Sequence, residues 1–442
     1  MQTTLSEPAS PALRELFRAR IATPEQALAR ITSGMRVYLG SNCGQPTLLT
    51  EALVQGCSHL RDVEIVHLLT SGPAPYVEPP FCEHFRHRAL FIGRNVRQAS
   101  DAGRVDYVPI FLSEIPALFQ SEALPLDVAM VSVSPPDKHG YCSLGVSVDI
   151  GLAACHAARI VIAEVNPNMP RVLGVGFLHV SEIDLFVPSD RPILEHHDDP
   201  IDDVARRIGN HVADLVEDGA TLQTGIGAIP GAVLASLGEK NDLGVHTEMF
   251  GDALIEPIER GVVTCRRKTL HPYKVVGTFC LGSRRLYDYL HDNPFIEFHP
   301  SEYVNDPFVI AQNDKMVAIN SAIEVDLTGQ VVADMIGPRF YSGIGGQVDF
   351  VRGAGRSRGG KPVIALPSTA RKGTISRIVS RLTPGAGVVT SRGDVRYVVT
   401  EFGTAYLHGK SIPERVEALV AIAHPDWRDR LTVEAREAGL LR

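Results

Sequence analysis

Two glycine clusters and one acid are the positions at which this sequence could do covalent chemistry. Gly225-Ile226-Gly227-Ala228-Ile229-Pro230 follows a strand-like run ending at Thr224 and opens a helical stretch to about Leu237. Glycines let backbone N–H groups approach a phosphate or carbonyl oxygen, and a helix N-terminus adds positive potential. A plain strand-to-helix turn has the same look. About twenty residues on, Val245-His246-Thr247-Glu248 reads as the next strand, with an acid at its end. Two chemistries fit Glu248. Glycine loop, helix, strand and acid in that order is the dinucleotide-binding pattern, in which the acid takes a ribose. There Pro230-Gly231 replaces the third glycine, which suits close helix–strand packing less well. A carboxylate beside Met249 and Phe250 could equally be a nucleophile, sharpened by partial desolvation provided it stays ionised.

The second cluster is Tyr341-Ser342-Gly343-Ile344-Gly345-Gly346-Gln347-Val348-Asp349-Phe350. Three glycines in four positions permit positive φ and expose backbone N–H groups that could form an oxyanion hole. A structural hairpin or bulge is the competing reading. Arg352, Arg356, Arg358, Lys361, Arg371, Lys372 and Arg377 follow. Such a run is usually a solvated face, but here it alternates with glycine, which makes phosphate binding plausible. Other candidates are weaker. His139 and Cys142 lie three residues apart in a Pro- and Gly-rich loop, and Cys142 reads as structural. His196-His197-Asp198-Asp199 reads as a solvated linker, because neighbours on an extended segment point to opposite sides and chelate poorly. Cys82, His84 and His87 make no better metal site. Ser113 and Ser134 lack a nucleophile elbow, and Trp427 reads as packing.

These residues need a scaffold of sizeable α/β domains. The 442 residues are 44% hydrophobic and 21% charged, which excludes disorder as the main state. A net charge of −8 argues against general nucleic-acid binding while leaving room for a local basic pocket. Seven cysteines without a CxxC pair fit a reducing compartment better than a disulfide framework or a zinc site. No run reaches the ~18 apolar residues of a membrane helix, and the N-terminus does not read as a signal peptide, so a cytoplasmic protein is expected. Thr23-Pro24-Glu25-Gln26 reads as a capped helix start, with the helix running to about Ile31. Arg36–Leu39, Val63–Val66, Val128–Val133 and Ile160–Val165 read as parallel strands alternating with helices. The pattern repeats. Ser33–Gly40 matches Asp218–Gly225, each followed by a helix opened by proline (Pro46, Pro230). About a hundred residues later, Val131–Gly140 matches Val317–Gly329. Two related halves are expected, joined within 188–203, with a cleft between them as the default site.

At this point the sequence resembles the acetyl-CoA hydrolase/transferase family, in its shorter branch of 4-hydroxybutyrate and butyrate CoA-transferases. The resemblance rests on Phe91-Ile92-Gly93 through Pro109, Ser113-Glu114-Ile115-Pro116, Ser134 through Gly145 and Asn166 through Pro170. It also rests on His246-Thr247-Glu248-Met249-Phe250 and Gly343–Phe350, and it covers about residues 10–430. It implies two CoA-transferase-type α/β domains, 1–195 and 196–442, with the active site at their interface and the catalytic Glu in the second. It places the nucleophile at Glu248 and the CoA-binding loop at Gly225, Ile226, Gly227, Ala228 and Ile229. Further CoA and oxyanion contacts fall on Gly343, Gly345 and Gly346, with a basic CoA contact at Lys372. The activity implied is transfer of CoA between a short-chain acyl-CoA and a free carboxylic acid through a glutamyl-CoA thioester. It needs no tightly bound cofactor or metal and no membrane or nucleic-acid partner, and a homodimer or larger homo-oligomer is expected. The alternatives are an acyl-CoA hydrolase, a nicotinamide-dependent oxidoreductase using 225–248, and a non-catalytic CoA sensor.

Overall fold

The computed structural model describes residues 5–442. They form two compact α/β units, one reaching to His197 and including Val276–Tyr303, the other made of Asp198–Val275 and Val304–Arg442.

The first unit is built on seven parallel strands. Their order in space is Asp106–Tyr107, Phe85–Ala89, Val63–His67, Arg36–Leu39, Val128–Val133, Ile160–Val165 and Leu185–Pro188. Val128–Val133 is buried at every position, as a parallel strand covered on both faces must be, so its apolar run does not alternate. The helix expected from Thr23 forms with its full capping box but is shorter, Pro24–Leu28. Val276–Tyr303 is tied into this unit by backbone hydrogen bonds. Val148 and Asp149 N–H both donate to the Thr278 carbonyl (3.1 and 3.0 Å), and Val175 N–H donates to that of Phe298 (2.9 Å).

The second unit has six strands in the order Gly244–Val245, Thr221–Gln223, Met316–Ser321, Lys361–Ala365, Tyr397–Thr400 and Gly403–Tyr406. All neighbours are parallel except the last pair. Apolar faces of the Ile412–Ile422 and Pro425–Glu437 helices complete a core with Val325, Ile364, Val398 and Leu407. The Asp203–Leu215 helix crosses the Ala228–Ala235 helix closely enough that a Cβ on Gly209 would lie 2.7 Å from the Ala232 carbonyl. Chain order reverses between Thr221–Gln223 and Met316–Ser321, the kind of switch point beside which open α/β sheets bind ligands.

The expected repeat is visible in the register. Val37 pairs with Val128 in one sheet and Leu222 with Val317 in the other. Nine residues past those partners stand Asp137 and Asp326, each closing the same turn. Asp137 Oδ1 accepts from His139 and Tyr141 N–H, and Asp326 Oδ1 accepts from Thr328 and Gln330 N–H. Gly140 and Gly329 follow at φ 92° and 95°, a region open to glycine at little cost.

Candidate active site

Glu248 lies just past the Gly244–Val245 strand. The strand expected to run to residue 248 stops at Val245, because side chains take over from the backbone ladder. Thr247 Oγ1 accepts from Thr224 N–H at 3.3 Å and lies 2.9 Å from the Thr224 carbonyl, fastening this segment to the end of the neighbouring strand. His246 Nε2 lies 2.8 Å from the Val304 carbonyl. Two residues on, Glu248 Oε2 accepts a hydrogen bond from Asn305 Nδ2 at 2.8 Å. Alternate side chains thus grip the 304–305 segment and hold a partly buried carboxylate in one place.

The second glycine cluster closes over that carboxylate. A Cβ on Gly346 would fall 1.9 Å from Glu248 Oε2 and 2.1 Å from Asn305 Nδ2, so only glycine allows the backbone so near. Gly346 is also the N-cap of the Gln347–Arg356 helix, whose N-terminal dipole favours negative charge there. Gly345 is left-handed at φ 57°, and Gly343 is buried. The cluster is therefore neither hairpin nor bulge: the hairpin is upstream, Met335–Ile336 with Arg339–Phe340, and the glycines lead into a helix. Gln347 Nε2 donates to the Ser321 carbonyl at 2.6 Å, and Asn320 Nδ2 donates to Gln223 Oε1 at 3.2 Å. Both bonds lie at or beside the C-terminal ends of the two switch-point strands.

The first glycine cluster lies at the mouth of a cavity of about 530 Å³, lined by Ile226, Ala228, Ile229, Arg371, Lys372 and Gly373 among others. Gly227, at φ 101°, donates its N–H to Asp198 Oδ1 at 2.9 Å, so one residue of the supposed linker caps this loop. A Cβ on Gly231 would meet only Ile201, at 3.7 Å, so no helix–strand approach demands a glycine there, as a dinucleotide fold does. Of the lining residues, Arg371, Lys372 and Gly373 are consecutive left-handed residues at φ 48°, 57° and 87°. Two non-glycine residues in that region cost about 1–2 kcal/mol each. Thr374 Oγ1 donates to the Arg371 carbonyl at 2.9 Å and Trp427 Nε1 to that of Gly373 at 3.2 Å.

The structure thus gathers Glu248 with Gly346, and Ile226, Ala228 and Ile229 with Lys372. Asn305 and the loop-holding role of Trp427 were missed from the sequence. A polar residue between the apolar Val304 and the helix-capping Asp306-Pro307 was the available signal for Asn305. Cys142 is buried and burial pushes its thiol well up, in keeping with a structural role.

The acetyl-CoA hydrolase/transferase N-terminal domain model matches residues 10–195, and the C-terminal domain model of the same name matches residues 282–435. The chain is 48% identical over 423 residues to the 4-hydroxybutyrate coenzyme A transferase of Clostridium kluyveri, covering 96% of this chain and 99% of that one. It is 45% identical over 430 residues to the succinyl-CoA:acetate/propanoyl-CoA:succinate CoA transferase of Fasciola hepatica, covering 96% and 89%. The crystal structure of RipA from Yersinia pestis is similar at a TM-score of 0.92 and 39% identity, covering 97% of this chain and 99% of that one. Both named relatives are CoA-transferases, and among the described residues no helix is long and apolar enough to cross a membrane. On the domain matches and these identities, the chain belongs to the acetyl-CoA hydrolase/transferase family.

Proposed function

We propose that this protein is an acyl-CoA:carboxylate CoA-transferase working through a glutamyl-CoA thioester on Glu248. The observation that carries the reading is the Glu248 carboxylate, fixed by Asn305 at 2.8 Å and pressed against the Gly346 backbone at a helix N-terminus. One oxygen of that carboxylate attacks the acyl-CoA carbonyl and expels CoA thiolate, leaving a mixed anhydride. The thiolate attacks the glutamyl carbonyl of the anhydride, releasing the first acid and forming the glutamyl-CoA thioester. An incoming carboxylate reverses both steps, yielding the new acyl-CoA and regenerating Glu248. Thioester and anhydride are both activated, so no step needs ATP.

Gly345 and Gly346 N–H groups are the donors assigned to the tetrahedral oxyanions, and one such donor contributes about 3–4 kcal/mol. The 225–229 loop and Lys372 are assigned to CoA, whose remote binding energy then serves the transition state. The catalytic Glu thus falls in the second of the two CoA-transferase domains. The acids in view are 4-hydroxybutyrate, acetate, propionate, butyrate and dicarboxylates such as succinate or itaconate. A cytoplasmic homo-oligomer without a tightly bound cofactor fits this activity.

The test is intact mass after mixing with acetyl-, succinyl- or butyryl-CoA, beside Glu248→Ala. Wild type should gain the mass of CoA less water and lose it when a carboxylate is added; the variant should gain nothing. No adduct and no turnover with any of the three sinks the reading. CoA release at transfer-like rates without any acceptor acid makes the enzyme a hydrolase instead.

A further inference from the structure

The structure sorts the basic run that follows the second glycine cluster. Arg352 pairs with Asp394 at 3.5 Å, Arg358 with Asp314, and Lys361 with Glu217 at 2.9 Å. Arg356 lies over the Phe308 ring, 5.5 Å from its centroid. Arg371 and Lys372 stand exposed at the cavity rim. Arg377 is different. It is partly buried, and among the described residues its guanidinium makes one hydrogen bond, from Nη1 to the Ala322 carbonyl at 3.3 Å. Among the described residues no carboxylate pairs with it. Burial pushes its pKa down, opposed only by the nearby Tyr341 phenol.

Its position links the two halves of the candidate site. Arg377 N–H donates to the Ser368 carbonyl at 2.8 Å, and Ser368 is flanked by Pro367 and Thr369, which line the cavity of the first glycine loop. The carbonyl that its side chain holds belongs to Ala322. The preceding Ser321 accepts from Gln347, the residue after Gly346. Arg377 is thus bonded through its backbone to the segment that lines the cavity, and through its guanidinium to the residue after Ser321, which Gln347 holds beside Gly346. A sheltered cation with one neutral acceptor is costly on its own, and guanidinium is the side chain best shaped to take a carboxylate or phosphate in two parallel bonds.

We propose that Arg377 is a substrate-binding residue that takes an anionic oxygen group of the bound substrates. This rests on the transferase reading above. Two sources share that chemistry, a CoA phosphate and the second carboxylate of a dicarboxylic acid.

The experiment compares wild type with Arg377→Met, which keeps the stem, and Arg377→Lys, which keeps the charge. Acceptors are succinate and butyrate; donors are acetyl-CoA and acetyl-pantetheine, which lacks both nucleotide and phosphates. Arg377→Met should raise KM about 10- to 100-fold for the substrate that carries the anion, with kcat largely kept and with partial recovery in Arg377→Lys. A rise for succinate but not butyrate identifies the carboxylate. A rise for acetyl-CoA with either acid, absent with acetyl-pantetheine, identifies the phosphate. Wild-type behaviour throughout, or an equal loss with acetyl-pantetheine and butyrate, overturns the proposal and leaves Arg377 as a support for Ala322. A wild-type enzyme that transfers no CoA refutes the transferase reading itself, and the Arg377 proposal falls with it.

Discussion

Gly346→Ala separates catalytic geometry from folding. The added Cβ would sit 1.9 Å from Glu248 Oε2 and 2.1 Å from Asn305 Nδ2. Ordinary contact lies beyond about 3 Å, so both groups must retreat by about 1 Å. Both are ends of side chains, which can turn away, and the Gly346 backbone at φ −97° is open to alanine. The fold should therefore survive, with a stability change of about 1 kcal/mol or less. The reacting carboxylate should not keep its place. A misplacement of about 1 Å costs on the order of 100-fold, which is about 2.7 kcal/mol of barrier. The assay is the rate of CoA-adduct formation followed by intact mass, alongside steady-state transfer and a melting curve, with Glu248→Gln as the inactive reference. A kcat within threefold of wild type would refute the argument, because the close approach would then have no bearing on the reacting group. So would a melting temperature lowered by more than about 10 °C, since that would make Gly346 structural.

Asn305→Ala should leave Glu248 without its fixed donor and lower kcat about 10- to 100-fold while KM for acyl-CoA changes little; a loss confined to KM would reassign Asn305 to substrate binding. Trp427→Phe keeps the ring but removes the N–H that holds Gly373, so KM for acyl-CoA should rise about 3- to 10-fold with kcat unchanged; equal kinetics would show that the loop needs no such bond. Asp149 is fully buried, and burial raises its pKa from the usual 3.8 to about 6. A raised pKa favours the fold below about 3.8, and that stability is lost as pH rises through about 6. Asp149→Asn should therefore raise stability by on the order of 2–3 kcal/mol at pH 7.5 and by little near pH 4. Urea unfolding at the two pH values measures the difference, and a pH-independent effect would contradict the assigned cause.

Two strands of the first unit were legible because of where they lie. Val128–Val133 and Ile160–Val165 are interior strands of a parallel sheet, so their sequences are unbroken apolar runs with sharp ends. Thr23–Gln26 was legible because a capping box is local chemistry. What could not be read is what the long-range contacts decide. Asn305 reaches Glu248 across 57 residues of chain, and its one local mark, a polar residue between Val304 and the capping Asp306-Pro307, does not name that partner. The Gly343–Gly346 run showed only that backbone freedom was needed; that Gly346 must clear a carboxylate is a fact of three dimensions. Glu248 was placed at the end of a strand because Val245-His246-Thr247 suits one, yet Thr247 spends its hydroxyl on Thr224 and ends the ladder early.

The repeat also bears on why only one half carries the proposed nucleophile. The sheet registers equate Leu222 with Val37, and hence Gly225 with Gly40, since both glycines follow three residues later. They equate Val245 with Ile65, since each pairs with the equivalent residue of its first strand. Three residues past Val245 stands Glu248; three residues past Ile65 stands Leu68, which is 4% exposed. The first half thus keeps the strand order around its switch point and the glycine after its first strand, but puts a buried leucine where the second has its carboxylate. It also extends Val63–His67 with two further parallel strands, Phe85–Ala89 and Asp106–Tyr107, where the second half ends its sheet at Gly244–Val245. With the sheet continuing on that side, residue 68 is a buried leucine. With the sheet ending, residue 248 lies where a charged group can be held partly buried by one amide and one helix N-terminus. The position of an acid just past the last strand of the sheet, rather than the glycine loop that both halves approximate, is what distinguishes the half with the proposed nucleophile from its twin.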